Sequence, residues 1–171
     1  KTADSITNIY NFYRRSGFLY QQYIPCLDPI DSPRGSSPYS LTPEKYARFL
    51  KTLFDLWYRD LQAGRFIYIR YFENLLGMML GEHPESCGLT GRGMDGRCQP
   101  QLILEADGSV YPCDFYCLDE WKLGDIRTDS FEEMMESKKA ADFLAVSELP
   151  MKECGKCRWY PVCRGGCRRD R

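Results

Sequence analysis

The chain has 171 residues, of which 43% are hydrophobic and 14% aromatic, enough for the core of one ordinary domain or of a small domain with part of another. Its 23 basic and 24 acidic residues give a formal net charge of -1, which excludes a global field for attracting nucleic acid or an anionic membrane. No apolar run approaches the roughly 18 residues of a membrane span, and no signal-peptide pattern opens the chain, so we expect a cytoplasmic protein without nucleic-acid or membrane partners.

The first stretch of the chain predicts a helix, a strand and a long loop. Apolar side chains recur at helical spacing over residues 4–16. The run FLYQQYIP at 18–25 alternates in the manner of a strand and ends at Pro25. Residues 26–41 are rich in Pro, Ser, Gly and Asp, which indicates a loop at the carboxyl end of that strand.

A long helix is predicted next. Thr42 is a favourable N-cap, Pro43 suits the first helical position, and apolar residues follow at helical spacing. The run RFIYIRYF at 65–72 predicts a second strand, and a short helix follows near 73–80. This alternation is typical of a parallel α/β layer, and because its strands are too few to close, we expect the tail of a larger barrel or sheet.

The pattern changes at about Gly81, where cysteines and glycines replace the apolar period, and we place a domain boundary there. Residues 101–113 predict a hairpin that turns at Asp107 and Gly108, and LGDI at 123–126 predicts a short extended piece.

One further helix is predicted before the last cysteines. Asp129 or Ser130 would cap it, with Glu132 placed three residues after Asp129 as in a capping box. We expect the hairpin and this helix to form the scaffold of a small metal-binding domain. The residues predicted to face inward on the helix are Phe131, Met134, Met135 and Phe143.

Four cysteines lie within the fourteen residues CGKCRWYPVCRGGC at 154–167. Thiols at this density indicate a bound metal ion or cluster, and CxxC spacing in a cytosolic protein favours metal or redox chemistry over structural disulfides. The sole histidine, His83, lies far from the motif, which argues against the mixed Cys/His zinc sites of fingers. The spacing favours iron-sulfur, with all-thiolate zinc and disulfides as the alternatives.

Seven cysteines and Gly108 together form a longer pattern that resembles the SPASM domain, the cluster-binding C-terminal extension of a subset of radical S-adenosylmethionine enzymes. The stretches DGSVYPCDFY, LGDI and CRWYPVCRGGCRRDR, with YIPCLDP and IRYF upstream, are similar to the anaerobic sulfatase-maturating enzymes over nearly the whole chain. This resemblance implies an α/β tail of a partial (β/α) barrel over residues 1–80. A small irregular α+β SPASM domain, a β-hairpin plus helix, would follow over 81–171 and be truncated at its C-terminus.

The resemblance also implies the cluster ligands. The first auxiliary [4Fe-4S] cluster would be ligated by Cys87, Cys98, Cys113 and Cys167. The second would be ligated by Cys154, Cys157 and Cys163. Its fourth ligand in the family lies downstream of the CRGGC motif, so the second site is incomplete here. Cys167 thus serves a different cluster from its neighbours, as in two-cluster ferredoxins, and Gly165 and Gly166 allow a tight turn beside sulfur.

Two residues outside the ligand set are assigned through the same resemblance. An aspartate beside a turn is most often a cap or loop acceptor, but the resemblance implies that Asp114 is the general base that takes the proton from the substrate thiol or hydroxyl. In the family the backbone around the sequence IPCL approaches the adenosyl part of the cofactor, which makes Leu27 an S-adenosylmethionine contact.

For Cys117, Cys26 and His83 we favour interpretations without a functional role. Cys117 stands four residues after Cys113, but Glu120 occupies the third position of a CxxxCxxC motif, and no such motif exists in the chain. We expect Cys117 to be a buried small side chain, the alternative being a substitute for the missing ligand. Cys26 is expected to be a half-buried small residue, and His83 is assigned no role.

The resemblance implies the auxiliary-cluster and substrate-side portion of an oxidoreductase that converts a Cys or Ser of a sulfatase precursor peptide to formylglycine. S-adenosylmethionine and a third [4Fe-4S] cluster would bind in the full-length enzyme, a monomer that passes electrons to an acceptor protein. We expect this chain to be a piece of a longer protein, inactive alone because it lacks CxxxCxxC. The alternatives are a SPASM-type maturase of another peptide and a non-catalytic zinc module.

Overall fold

The computed structural model describes residues 2–82, 96, 98–148 and 152–169. The chain divides into two compact units, Lys1–Glu73 and Asn74–Arg171. The boundary predicted at 80/81 lies just after the helix in which this division falls and stays a prediction. None of the described helices is both long enough and apolar enough to cross a membrane.

The first unit alternates helices and short strands, as the sequence predicts. Strands β1 and β2 run parallel, with Tyr20 opposite Tyr68 and Gln21 opposite Ile69. Thr42 caps the long helix by accepting a hydrogen bond from the Lys45 backbone N–H at 3.3 Å. The elements are α1 (Ile6–Arg15), β1 (Tyr20–Gln21), α2 (Pro43–Gln62), β2 (Tyr68–Ile69) and α3 (Arg70–Met79), which continues into the second unit.

Both strands are shorter than predicted, and the strand predicted over 65–72 is wrong beyond Ile69. The chain turns into α3 at Arg70, so that Phe72 is a helical residue. Its buried ring packs against Trp57 and Phe54, with centroids 5.3 and 5.4 Å apart. This aromatic packing outweighs the β propensity of the run.

A buried carboxylate joins the first two helices. Asp60 on α2 is fully buried and accepts hydrogen bonds from the hydroxyl of Tyr10 on α1 at 3.0 Å and from the guanidinium groups of Arg14 at 3.3 Å and Arg65 at 2.7 Å. Burial acts to raise the pKa of Asp60, but the hydrogen bonds from Arg65 and Tyr10 and the charge of Arg14 outweigh it and hold this pKa below its usual range. Asp60 is therefore a charged residue in the core of this unit.

The second unit carries a three-stranded antiparallel sheet followed by short helices. The predicted hairpin and its turn are confirmed: Gly108 has a φ of 89°, and Asp107 accepts from the Ser109 backbone N–H at 2.9 Å. The extended piece LGDI pairs with this hairpin as a third strand, which was not predicted. The elements are β3 (Ile103–Leu104), β4 (Ser109–Tyr111), β5 (Gly124–Asp125), α4 (Phe131–Glu136), α5 (Lys138–Ser147) and α6 (Tyr160–Cys163).

The single predicted helix is two helices that meet at Ser137. Ser130, not Asp129, caps α4, and the capping box uses Glu133 instead of the predicted Glu132. Asp129 instead accepts from the Asp125 backbone N–H at 2.7 Å. Met134 and Phe143 are buried as predicted, whereas the same prediction is wrong for Phe131 and Met135, which are 53% and 42% exposed and lie near the two ends of a helix of only six residues.

Candidate metal centre

Two of the cysteines predicted to ligate the first auxiliary cluster lie next to a group of aromatic side chains in the second unit. Cys113 is buried together with Tyr116 and Phe143, and Cys98 packs against them. The rings of Tyr116 and Trp121 meet the ring of Phe143 edge-on, with centroids 5.5 and 5.2 Å apart. We refer to Tyr116, Trp121 and Phe143 as the aromatic cluster.

Strand β4 positions Cys113. All three residues of this strand are buried, and the chain stays extended through Cys113, with φ -164° and ψ 142°. A 3-10 helix, Asp114–Tyr116, follows at once, and the Tyr116 backbone N–H donates to the Cys113 carbonyl at 2.9 Å. A buried strand and a short helix thus hold Cys113 on both sides, next to the aromatic cluster.

Helix α5 positions Cys98. The Cys98 backbone N–H donates to the Ser147 hydroxyl at 3.0 Å, and this hydroxyl donates in turn to the Leu144 carbonyl at 2.6 Å. Ser147 and Phe143 are both buried and lie four residues apart on α5, hence on one face of the helix. One helix face therefore contacts both Cys113, through Phe143, and Cys98, through Ser147.

A left-handed turn carries the chain to Cys167. Gly165 and Gly166 have φ values of 87° and 63°, which glycine adopts at little cost, and Arg164 before them has a φ of 48°, in the left-handed region that other residues rarely adopt. Cys167 is 7% exposed, and its Sγ accepts from the Arg169 backbone N–H at 3.4 Å. Gly96, two residues before Cys98, lies against this turn: a Cβ atom at Gly96 would stand 2.5 Å from the Arg164 carbonyl oxygen. The segments of Cys98 and Cys167 therefore meet where only glycine fits.

The other three cysteines of the motif lie in a more exposed segment. Cys154 is half-buried within the 3-10 helix Lys152–Lys156, and Cys157 and Cys163 are exposed. The Cys157 backbone N–H donates to the Cys154 carbonyl at 3.1 Å, and α6 ends at Cys163. The short turns keep these three residues in one small loop.

The donor chemistry fits an iron-sulfur cluster better than a hard cation. All the candidate ligands are thiols, the ligands that iron-sulfur clusters use, and Cys113 and Cys167 are buried. Within the described ranges, no three His, Cys, Asp or Glu side chains stand close enough together to hold a metal ion. Cys87, the fourth predicted ligand of the first site, lies outside the described residues.

Asp114 is exposed beside Cys113. Its Oδ1 accepts from the Phe115 backbone N–H at 3.1 Å and from the Cys113 thiol at 3.4 Å. Within the described part of the chain, Oδ2 has no hydrogen-bond partner. One carboxylate oxygen is thus anchored, and the other can accept a proton from outside.

Cys117 is half-buried, and its thiol donates to the Cys113 carbonyl at 3.6 Å. Burial and then the Glu105 and Asp114 carboxylates raise the pKa of this thiol, which disfavours the thiolate that a metal requires. The thiol borders an open cavity of about 360 Å³, lined also by Glu105, Ala106, Asp107 and Tyr111. Cys117, expected to be buried, is half-buried, and its interpretation as a side chain that is not a ligand stays a prediction.

The remaining candidates lie away from these cysteines in the chain. Leu27 is half-buried in the loop after β1, in the first unit. Cys26, expected to be half-buried, is exposed, because the chain leaves the short strand five residues earlier. His83 lies outside the described residues.

Sequence reasoning missed two residues that organise this site. Ser147 carries no signal in the sequence, because a serine near a helix end is unremarkable. Arg168 lies in the short basic stretch at the end of the sequence, which is typical of a solvated chain end, yet its guanidinium lies over all three rings of the aromatic cluster. Its position directly after a predicted ligand was the one available hint.

Comparisons with known proteins place these features in a family context. A family model described as an iron-sulfur cluster-binding domain, SPASM, matches residues 97–158. The cysteine-type anaerobic sulfatase-maturating enzyme of Clostridium novyi (strain NT) is 48% identical over 170 residues, which are 99% of this chain and 44% of that enzyme. The serine-type enzyme of Bacteroides thetaiotaomicron is 29% identical over 185 residues, which are 99% of this chain and 43% of that enzyme.

A solved structure shows the same likeness. The native enzyme anSMEcpe with bound AdoMet and Cp18Cys peptide has a TM-score of 0.91 and 44% identity, over 98% of this chain and 45% of that one. The match falls in the C-terminal region of that enzyme. The chain therefore spans less than half the length of the relatives that it matches.

Proposed function

We propose that this chain, which belongs to the family of the anaerobic sulfatase-maturating enzymes, is the auxiliary-cluster and substrate-side part of a radical S-adenosylmethionine enzyme. The full-length enzyme would oxidise a residue of a sulfatase precursor to formylglycine. The observation that carries this proposal is the 48% identity over 99% of the chain. The lower identity to a serine-type enzyme, 29%, favours cysteine as the oxidised residue.

The proposed architecture follows from the same relationship. Residues 1–80 would be the tail of a partial (β/α) barrel, which the parallel pairing of β1 and β2 supports. Residues 81–171 would be the SPASM domain, which the family match at 97–158 supports. Leu27 would contact S-adenosylmethionine from the loop after β1, the edge at which ligands gather in α/β folds.

The proposed ligand sets divide the seven cysteines between two [4Fe-4S] clusters. When bound, these clusters would supply one-electron acceptors close to the substrate. Packing of Cys113 and Cys98 at the aromatic cluster supports a shared site, and the buried Cys167 is linked to it through Arg168, whose guanidinium lies over the same rings. The ligands proposed for the first cluster are Cys87, Cys98, Cys113 and Cys167, and those for the second are Cys154, Cys157 and Cys163.

Asp114 would act as the general base of the oxidation. The 3-10 helix fixes its backbone beside Cys113, and the hydrogen bond from the Phe115 backbone N–H holds Oδ1 in place, which does not depend on the Cys113 thiol proton that cluster binding would remove. Its exposed Oδ2 could then take the proton that a substrate thiol loses when the carbon–sulfur bond becomes a double bond. The partners would be a sulfatase precursor peptide and an electron-acceptor protein, with the enzyme acting as a cytoplasmic monomer.

The test substitutes Asp114→Asn in the full-length enzyme, with a cysteine-containing sulfatase peptide as substrate. We expect formylglycine formation to fall by about a hundredfold or more, the usual contribution of a positioned base. Cleavage of S-adenosylmethionine and the iron content of the protein should persist. Mass spectrometry of the peptide and of the cofactor products separates the two steps.

The matched control is Asp119→Asn, which changes another exposed aspartate of a neighbouring 3-10 helix and should leave peptide oxidation unchanged. Full peptide oxidation in Asp114→Asn would remove the base assignment. Zinc in place of iron in the purified protein, or no oxidation of the peptide by the wild type, would remove the proposed function.

A further inference from the structure

Arg168 lies over the aromatic cluster. Its guanidinium carbon lies 4.1 Å from the ring centroid of Tyr116, 4.5 Å from that of Phe143 and 5.0 Å from that of Trp121. Its Nη1 also donates to the Phe143 carbonyl at 3.2 Å. A planar cation held by three rings and a carbonyl has little freedom to move, so its charge is fixed in space.

Among the residues that the structure describes, no carboxylate pairs with the charge of Arg168. The side chain is half-buried, and within the described ranges it forms no ion pair. Aromatic faces attract the guanidinium but leave its full positive charge in place. A half-buried charge is screened less than an exposed one, so the surrounding groups experience it strongly.

The position of this charge relates it to the proposed first cluster. Arg168 directly follows Cys167, and the rings beneath it are buried with Cys113 and contact Cys98. Arg168 thus ties the backbone at Cys167 to the side chains around the other two described thiols. A [4Fe-4S] centre with four thiolates carries a net charge of about -2, and about -3 after one-electron reduction.

We propose that Arg168 is a positioning residue that fixes Cys167 against the aromatic cluster and raises the reduction potential of the first auxiliary cluster through its charge. This inference rests on the proposed function. The reduced cluster carries one more negative charge than the oxidised cluster, so a fixed cation stabilises the reduced form more. Arg168 therefore makes the cluster a better acceptor of the electron released when the substrate is oxidised.

The experiment is a dithionite redox titration of the reconstituted full-length protein, followed by electron paramagnetic resonance. The signal of the first cluster is identified as the one that disappears in Cys113→Ala. Arg168→Met removes the charge and keeps an apolar chain, and we expect it to lower the reduced-to-oxidised ratio at a fixed potential about tenfold, a shift of about 59 mV to lower potential. Arg168→Lys keeps the charge and should stay within about threefold of the wild type.

Arg158→Met is the matched control. Arg158 also directly follows a predicted ligand, Cys157, and lies over one ring, that of Trp159, at 4.5 Å, but it is exposed. Because solvent screens an exposed charge, we expect this variant to leave the potential of the first cluster unchanged. If Arg158→Met and Arg168→Met shift the reduction potential of the first cluster equally, the effect does not come from the half-buried position of Arg168, and the inference is wrong.

Two further outcomes separate this inference from the proposed function. If the wild type loads its clusters and oxidises the peptide while Arg168→Met keeps the wild-type potential, the inference alone fails. If the wild type binds no iron-sulfur cluster, both fail. If Arg168→Met loses the cluster altogether, the Arg168→Lys variant decides between the outcomes. A tenfold change in its reduced-to-oxidised ratio contradicts a role for the charge, and a potential equal to that of the wild type supports this role.

Discussion

Asp60 links α1 to α2 through a buried carboxylate that accepts from Tyr10 and Arg14 of α1. Asp60→Asn removes a buried charge that three donors surround, and we expect it to destabilise the first unit by about 2 kcal/mol. Hydrogen exchange of the α2 amides in the full-length protein should become about thirtyfold faster at neutral pH. Asp55→Asn changes an exposed aspartate of the same helix and should leave exchange within about twofold of the wild type.

The dependence of this effect on pH follows from the lowered pKa of Asp60. A carboxylate whose folded pKa lies below its unfolded pKa adds stability above the unfolded value, about 3.9, and loses it as the pH falls through the folded value. The difference between wild type and Asp60→Asn should therefore be full at pH 7 and shrink below about pH 4. A difference that stays constant from pH 7 to pH 3 would show that the charge does not stabilise the unit.

Single residues differ in how much the sequence discloses about them. The cysteines could be found from spacing, because dense thiols have few uses other than metal or redox chemistry. Asp60 could not, because nothing in its neighbourhood marks it as buried until Tyr10, fifty residues earlier, is seen to donate to it. Arg168 likewise depends on rings from three distant segments.

At the scale of elements, helix α5 holds the candidate site together, because it contacts Cys98 through Ser147 and Cys113 through Phe143. Ser147→Ala removes the hydroxyl that accepts from the Cys98 backbone N–H, and leaving this part-buried donor without its acceptor costs on the order of 1 kcal/mol. We expect the variant to release iron to a chelator several times faster than the wild type. Ser130→Ala is the control, because it removes the α4 cap at a cost of about 1 kcal/mol but lies at an exposed position.

Equal rates of iron release in Ser147→Ala and Ser130→Ala would contradict this role for α5. Each variant should first be shown to fold, by circular dichroism of the purified full-length protein. The comparison then isolates the contact to Cys98 from a general loss of stability.

The elements themselves were predictable to the extent that local signals define them. Helix α2 has a capping threonine, a proline at its first position and a long apolar period, and its start at Pro43 is confirmed. The strands were overestimated, because an alternating run such as 18–25 indicates extended chain but not how much of it finds a partner. The break at Ser137 has no strong breaker residue, since serine both ends α4 and caps α5.

At the scale of the whole molecule, the cysteine motif at 154–167 connects two different environments. Cys163 ends an exposed helix, whereas Cys167, four residues later, is buried beside an arginine that stacks on the aromatic cluster. A left-handed turn at Arg164, Gly165 and Gly166 separates them. The physical setting thus changes within one short loop, which supports the proposed division of these thiols between two clusters.

The proposed division of these cysteines between two clusters predicts which variants of the full-length protein should lose the same electron paramagnetic resonance signal. Cys167→Ala should lose the same electron paramagnetic resonance signal as Cys113→Ala, because both side chains are buried and their segments meet at the aromatic cluster. Cys163→Ala should lose a different signal, shared with Cys157→Ala. Cys117→Ala is the control and should keep both signals, because its thiol is disfavoured as a thiolate. If Cys167→Ala instead groups with Cys163→Ala, the four cysteines of the motif form one site, and the crossed assignment is wrong.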